Sequence, residues 1–84
     1  MYWVLIDKRA KKKIDKIPFA YAKKIAFAID NLEEDPRPVG CEKLVGYDNT
    51  YRIRIGIYRI IYRIEDDILY VEILKVGHWK MVYR

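Results

Sequence analysis

The stretch YRIRIGIYRIIYRI, residues 51–64, places four arginines in fourteen positions and fills nearly every other one with isoleucine or tyrosine. A proline-free run this rich in Ile and Tyr is a strand sequence. Its one interruption, Gly56-Ile57, suits a two-residue type II′ turn, which wants glycine at its first central position. That turn sets Ile55 opposite Tyr58, Arg54 opposite Arg59 and Ile53 opposite Ile60. Strand side chains alternate between faces. One face of the hairpin therefore carries Tyr51, Ile53, Ile55, Tyr58, Ile60, Tyr62 and Ile64, while the other carries Arg52, Arg54, Arg59 and Arg63 with only Ile61 among them. Like charges directly opposed destabilise a sheet. Two readings of the basic face are open: a solvated surface whose arginines splay apart or pair with carboxylates, and a surface that binds phosphate.

Composition narrows the choice. Eighty-four residues suffice for one small domain with a single core, and residues 1–84 are expected to form it. A hydrophobic content of 52% argues against disorder, and a formal charge of +5 favours an anionic partner: nucleic acid, an acidic protein or a membrane surface. Cys41 is the only cysteine, so no internal disulfide forms, which fits a reducing cytosol. No apolar run nears transmembrane length, and YWVLI at 2–6 is too short for a signal-peptide core. A cytoplasmic protein without membrane attachment is expected.

Around the hairpin, Tyr2–Ile6 reads as a first strand. Asp7 caps a helix through Lys8–Ile17, whose Ala10, Ile14 and Ile17 fall on one face; KKK at 11–13 points away from it. Pro18 opens a second helix, with a stripe of Ala22, Ile25, Ala26, Ile29 and Leu32, and EEDPRP at 33–38 ends it. Residues 39–49 read as a loop in which Leu44 and Val45 drop into the core and Gly46 turns the chain. After the hairpin, an Asp66-Asp67 turn leads into a strand through Ile68–Val76. Leu69, Val71 and Ile73 then join the core, and Glu72 lands on the basic face near Arg59 and Arg63. The order β-α-α-β-β-β describes an α+β fold, a helical hairpin packed on one face of a mainly antiparallel sheet. The helices must cover the Tyr/Ile face, which leaves the arginines on the open side.

Known catalytic signatures are missing. One Cys and one His, far apart, do not make a metal site, the acidic runs at 33–36 and 65–67 sit at element ends, and no phosphate-binding glycine loop or nucleophile motif is present. No cofactor or metal is expected. What remains is a basic sheet face with Tyr70, Trp79 and Tyr83 nearby. Guanidinium binds phosphate bidentately, and aromatic rings stack on unpaired bases. Such a surface suits RNA, which carries its own nucleophile, the 2′-OH, beside each phosphodiester. Arginines can stabilise the phosphorane but make poor bases, so proton transfer falls to Tyr83, His78, Lys80 or a carboxylate.

The element order, the arginine hairpin and the ending VGHWKMVYR together resemble the RelE/ParE superfamily of toxins from type II toxin–antitoxin pairs, over nearly the whole chain. The RelE branch is favoured by the shortness of the chain and its Val-Tyr ending. That resemblance implies a ribosome-dependent mRNA interferase, cutting by 2′-OH attack and neutralised by a cognate antitoxin. Carried over by position, Arg52 and Arg54 match the paired basic residues that hold and polarise the RNA backbone. Arg59 matches the arginine that stabilises the transition state, and Tyr83 the tyrosine that stacks on a base or helps proton transfer. Arg54, Arg59 and Tyr83 are thus the expected catalytic residues, with Arg52, Arg63, Trp79 and Lys80 as RNA contacts. After VGH the family usually has arginine where this chain has Trp79, which implies a reduced rate. Two alternatives stand beside this reading: a ParE-like inhibitor of DNA gyrase without nuclease activity, and a toxin-derived module that keeps RNA or antitoxin binding without catalysis.

Overall fold

In the computed structural model, which describes residues 1–83, the hairpin forms in the expected register. Strands β3 (Thr50–Ile55) and β4 (Tyr58–Glu65) pair antiparallel, with Ile55 opposite Tyr58, Arg54 opposite Arg59 and Ile53 opposite Ile60. Gly56 holds φ at 60° while Ile57 stays at negative φ, as a II′ turn requires. The remaining elements are β1 (Trp3–Ile6), α1 (Lys8–Asp15), α2 (Phe19–Asn31), β2 (Glu42–Lys43) and β5 (Tyr70–His78). The sheet order is β1-β5-β4-β3-β2, with β1 parallel to β5 and every other pair antiparallel.

The two helices cover the Tyr/Ile face. Ala10 of α1 and Ile25, Ile29 and Leu32 from α2 and its end are buried against Ile60, Tyr62, Ile64, Val71, Ile73 and Val76. Burying each large aliphatic side chain contributes roughly 1.5–3 kcal/mol. Asp7 caps α1 by accepting the Arg9 N–H at 2.8 Å. This helix stops at Asp15 instead of running to Ile17, although Ile14 and Ile17 still pack on the core. In α2 the expected stripe is off at one position: Ala26 faces solvent and Ala28 is half-buried instead. Tyr62 is fully buried and donates its hydroxyl to the Pro36 carbonyl at 2.8 Å, which ties the chain after α2 to the core.

Three further expectations need correction. Val45 does not enter the core; it is exposed at the tip of the connection between β2 and β3, while Leu44 is half-buried. The turn after β4 is not two residues long. A 3₁₀ turn over Asp66–Ile68 is followed by Leu69 in the left-handed region at φ 51°, which exposes Leu69 and starts β5 at Tyr70. The register thus slips by two, an even number that keeps Val71 and Ile73 in the core. The same slip sets Glu72 opposite Arg63, away from Arg59, which faces Gly77. Farther along β5 a bulge at Leu74, between the pairs Ile61–Lys75 and Tyr62–Ile73, turns Val76 inward as well.

Gly56 carries two constraints at once. Beyond its positive φ, an added Cβ would come within 2.9 Å of the Tyr21 ring, which itself packs edge-on against Tyr58 at 5.3 Å. Gly56→Ala is expected to cost about 1–2 kcal/mol from the left-handed backbone alone, lowering the melting temperature by roughly 4–8 °C per kcal/mol. Gly56→Asn accepts that backbone more readily but still presses on Tyr21, so thermal and urea denaturation should place it between alanine and wild type.

Candidate anion-binding site

Arg52, Arg54 and Arg59 line one open cavity of about 350 Å³ together with Gly40 and Glu42. The hairpin register brings the three guanidinium groups to one face; the short strand β2 brings Glu42 to them, because Glu42 pairs with Arg52 across the sheet edge. Each arginine is held differently. Arg59 folds its guanidinium back onto the turn, donating Nη1 to the carbonyls of Gly56 at 3.0 Å and Tyr58 at 2.9 Å. That placement relieves its opposition to the exposed Arg54. Arg52 donates Nη2 to Glu42 Oε2 at 2.8 Å and Nη1 to the Tyr83 hydroxyl at 2.9 Å, with its guanidinium 6.0 Å from the centre of the Tyr83 ring. The Tyr83 bond and the Glu42 carboxylate both push the Arg52 pKa up. Glu42 is held below the usual carboxylate range, first by its bond to Arg52 and then by the fields of Arg52, Arg54 and Arg59.

Tyr83 reaches this site because the tail turns back over the sheet. The N–H groups of Met81 and Val82 bond the His78 carbonyl at 2.9 and 3.0 Å. Val82 is buried, with its Cβ 3.8 Å from where a side chain on Gly77 would begin. Gly77 faces Arg59 across the ladder, so the tail crosses the basic face. Ile61, on that same face by register, is buried as well. The open side of the sheet is therefore partly covered, which the hairpin pattern alone did not suggest.

The other expected site residues lie elsewhere. Arg63 is opposite Thr50 and Glu72, ion-paired to Glu72 at 3.0 Å and Glu65 at 3.4 Å, and does not line the cavity. His78 lies against Tyr58 at 6.5 Å, and its Nδ1 accepts the Lys80 N–H at 3.1 Å. Trp79 stacks on His78 at 6.0 Å with Lys80 Nζ 5.5 Å from its ring centre, and its N–H bonds the Ile57 carbonyl at 2.9 Å. Trp79 and Lys80 thus form a second group, fastened to the same turn that holds Arg59. Tyr70 shares the basic face by register, opposite Glu65. Sequence reasoning missed Glu42. Its one signal is Gly46, a turn residue at φ 86° between Glu42 and Arg52, which stand ten positions apart as hairpin partners do. Among the described residues, no three His, Cys, Asp or Glu side chains gather as metal ligands would, and no helix is long and apolar enough to cross a membrane.

Three guanidinium groups thus stand against one carboxylate on an α+β scaffold. A family model described as the ParE toxin of the type II toxin–antitoxin system, parDE, matches residues 4–83. Toxin RelG of Mycobacterium tuberculosis is 33% identical over 84 residues, covering 99% of this chain and 97% of its own length. A putative toxin RelE1 of Methanocaldococcus jannaschii is 31% identical, covering 96% and 93%. The fold matches a chain of the archaeal RelE–RelB complex from Pyrococcus horikoshii OT3 with a TM-score of 0.84 at 30% identity, covering 96% of this chain and 98% of that one. It matches the intact E. coli RelBE toxin–antitoxin complex with a TM-score of 0.81 at 26% identity, covering 93% and 96%. The chain belongs to the RelE/ParE family of type II toxins, and its fold is RelE-like.

The contrast between Arg54 and Arg63 is measurable. On a non-cleavable single-stranded RNA, each phosphate neutralised contributes about 0.7 to the slope of log affinity against log salt. Arg54→Ala should reduce that slope by roughly this amount. Arg63→Ala, whose charge is already met by Glu72 and Glu65, should leave it unchanged, as fluorescence titrations across a salt series would show.

Proposed function

We propose that this toxin is a RelE-type mRNA interferase that cuts mRNA on the ribosome and is held inactive by a cognate antitoxin protein. The observation that carries the reading is the single cavity shared by Arg52, Arg54 and Arg59, with the Tyr83 hydroxyl fastened to Arg52 at its edge. In the proposed reaction the 2′-oxygen attacks phosphorus and the bond to the 5′-oxygen breaks, leaving a 2′,3′-cyclic phosphate. One proton leaves the 2′-OH and another reaches the departing 5′-oxygen. Arg52 and Arg54 hold the phosphate oxygens, and Arg59, fixed on two turn carbonyls before substrate arrives, meets the charge that develops on the phosphorane. Tyr83, its hydroxyl beside Arg52, helps the proton transfer and offers a ring on which a base can stack. His78 is turned toward Tyr58, its Nδ1 accepts the Lys80 N–H, and it does not line the cavity. Trp79, exposed beside Lys80, offers a stacking surface for a neighbouring base. Support for the antitoxin comes from the relatives solved as RelE–RelB complexes; the uncompensated arginines give an acidic protein segment something to bind.

A second reading is inhibition of DNA gyrase without RNA cleavage. It is favoured by the match to the ParE toxin model, while Trp79, where the family resemblance leads one to expect arginine, weakens the cleavage reading. Cleavage on programmed ribosomes and a gyrase supercoiling assay separate the two. For the interferase reading, Arg59→Ala should lower the single-turnover cleavage rate by roughly 10²–10³ while keeping a cooperative melting transition. Full activity in that variant would remove Arg59 from the reaction, and inhibited supercoiling without cleavage by the wild type would favour the gyrase reading.

Trp79 gives an independent test. If its indole merely stands where a cation would serve better, Trp79→Arg should speed the chemical step by about tenfold, which requires about 1.4 kcal/mol of added transition-state stabilisation. If it stacks on a base, a contact worth about 1–3 kcal/mol, the same substitution should weaken binding without a faster step. Its 47% exposure and its stacking on His78 favour the second outcome.

A further inference from the structure

We propose that Glu42 is a resident phosphate mimic: its carboxylate occupies the Arg52–Arg54–Arg59 cavity in the free toxin and must leave before a phosphodiester can enter. The proposal rests on the anion-binding reading of that cavity and adds a competitor to it. Arg52 is the centre of the argument. Its two terminal nitrogens are both engaged, Nη1 by the Tyr83 hydroxyl and Nη2 by Glu42. Nη2 carries two N–H groups, and a phosphate oxygen that takes the one now held by Glu42 displaces the carboxylate, because two anions on one N–H repel each other. Glu42 is also the one carboxylate among the residues that line the cavity, and it feels Arg54 and Arg59 as well as its direct partner. It therefore sits where the positive field of all three arginines converges, which is the place a phosphate would take.

The way Glu42 is mounted makes displacement cheap. It lies on β2, a strand of only two residues at the sheet edge, and its side chain is 59% exposed. Exposed ion pairs of this kind contribute little, so the carboxylate can swing into solvent without disturbing the core. The consequence is selectivity by presentation. A small free anion must compete with a tethered carboxylate at high local concentration and loses. A strand already held against the toxin by other contacts arrives with a comparable effective concentration and prevails. Glu42 thus keeps three arginines soluble and quiet in the free protein and makes the cavity respond to a presented nucleic-acid backbone in preference to loose phosphate.

The test compares wild type, Glu42→Gln and Glu72→Gln. Glu72 is the control, because it neutralises Arg63 on the same face outside the cavity. Inorganic phosphate and a 2′-O-methyl RNA pentamer, which lacks the nucleophile, are titrated into labelled protein while the Arg52 Nε–H and hairpin amide NMR signals are followed. Glu42→Gln should bind phosphate roughly three- to fivefold more tightly than wild type, whereas Glu72→Gln should stay within about twofold. Equal or weaker binding by Glu42→Gln overturns the proposal, since the carboxylate then does not compete. Equal tightening by both variants overturns it too, by showing a plain effect of net charge. An Arg54→Ala/Arg59→Ala variant separates the two levels of the argument. If it loses phosphate while Glu42→Gln matches wild type, only the role of Glu42 falls; if it binds as well as wild type, the anion-site reading falls with it.

Discussion

A two-residue turn at Gly56 forces Arg54 against Arg59, and much of the molecule answers to that juxtaposition. The register cannot slip by one, because a one-residue shift would send every Tyr and Ile of the hairpin to solvent and every arginine into the core. The apolar side is secured by the helices, so the like charges stay opposed. The chain relieves them by geometry. Arg59 bends back to the Gly56 and Tyr58 carbonyls, Arg54 stays in water, and Arg52 is met by Glu42 from the edge strand. Arg59 is thereby placed on backbone carbonyls before any ligand arrives. That is what a site needs if it is to stabilise charge without reorganising at the moment of reaction.

The second constraint is the crossing of the tail over the basic face. Val82 lies over Gly77, 3.8 Å from its Cβ position and on the face of Arg59, and Tyr83 then lies against Arg52. Alanine at 77 would meet Val82 at ordinary contact distance, whereas a side chain reaching beyond Cβ would press on Val82, the neighbour of Tyr83. The same turn that orients Arg59 also accepts the Trp79 N–H through Ile57. Hairpin and tail are therefore coupled through three consecutive carbonyls, those of Gly56, Ile57 and Tyr58. A partner that pulls the tail aside would loosen Tyr83 directly and the turn holding Arg59 indirectly.

Much of this was legible in the sequence where periodicity and turn chemistry agree. The II′ signal at Gly56 gave the register, period-two alternation gave the two faces, and Asp7 and Pro18 marked the helix starts. Legibility fails where a local choice depends on a distant contact. Nothing local says that Asp66–Ile68 winds into a 3₁₀ turn ending in a left-handed Leu69; that geometry goes with Asp66 receiving Arg37 at 2.7 Å and the Tyr2 hydroxyl at 2.7 Å, partners from two remote segments. The face assignments of Val71 and Ile73 survived because the error was two residues, an even number, whereas Leu69 was lost from the core to the turn. The association of Glu72 with Arg59 did not survive, because it depended on position along the strand and not on face. Glu42 was missed for another reason: a two-residue strand has no periodicity to read, and Gly46 is its one signal.

The arginine density of the opening stretch follows from these constraints. If the four arginines served only as a solvated surface, each would be expected to have a carboxylate within reach or a free path to water. Arg63 fits that description, held by Glu72 and Glu65. The other three converge on one cavity that holds a single carboxylate, so that with Arg52 paired to it, Arg54 in water and Arg59 on the turn carbonyls, two positive charges remain in excess there. A sheet tolerates such repulsion only when packing on its opposite face is strong enough to hold the strands together, and here that packing includes Ile60, Tyr62, Ile64, Val71 and Ile73, all almost fully buried. Stability gathered on the helix side thus offsets charge concentrated on the other. The Ile/Tyr and Arg alternation of residues 51–64 is therefore one device, in which every second residue anchors the strand that its neighbours strain.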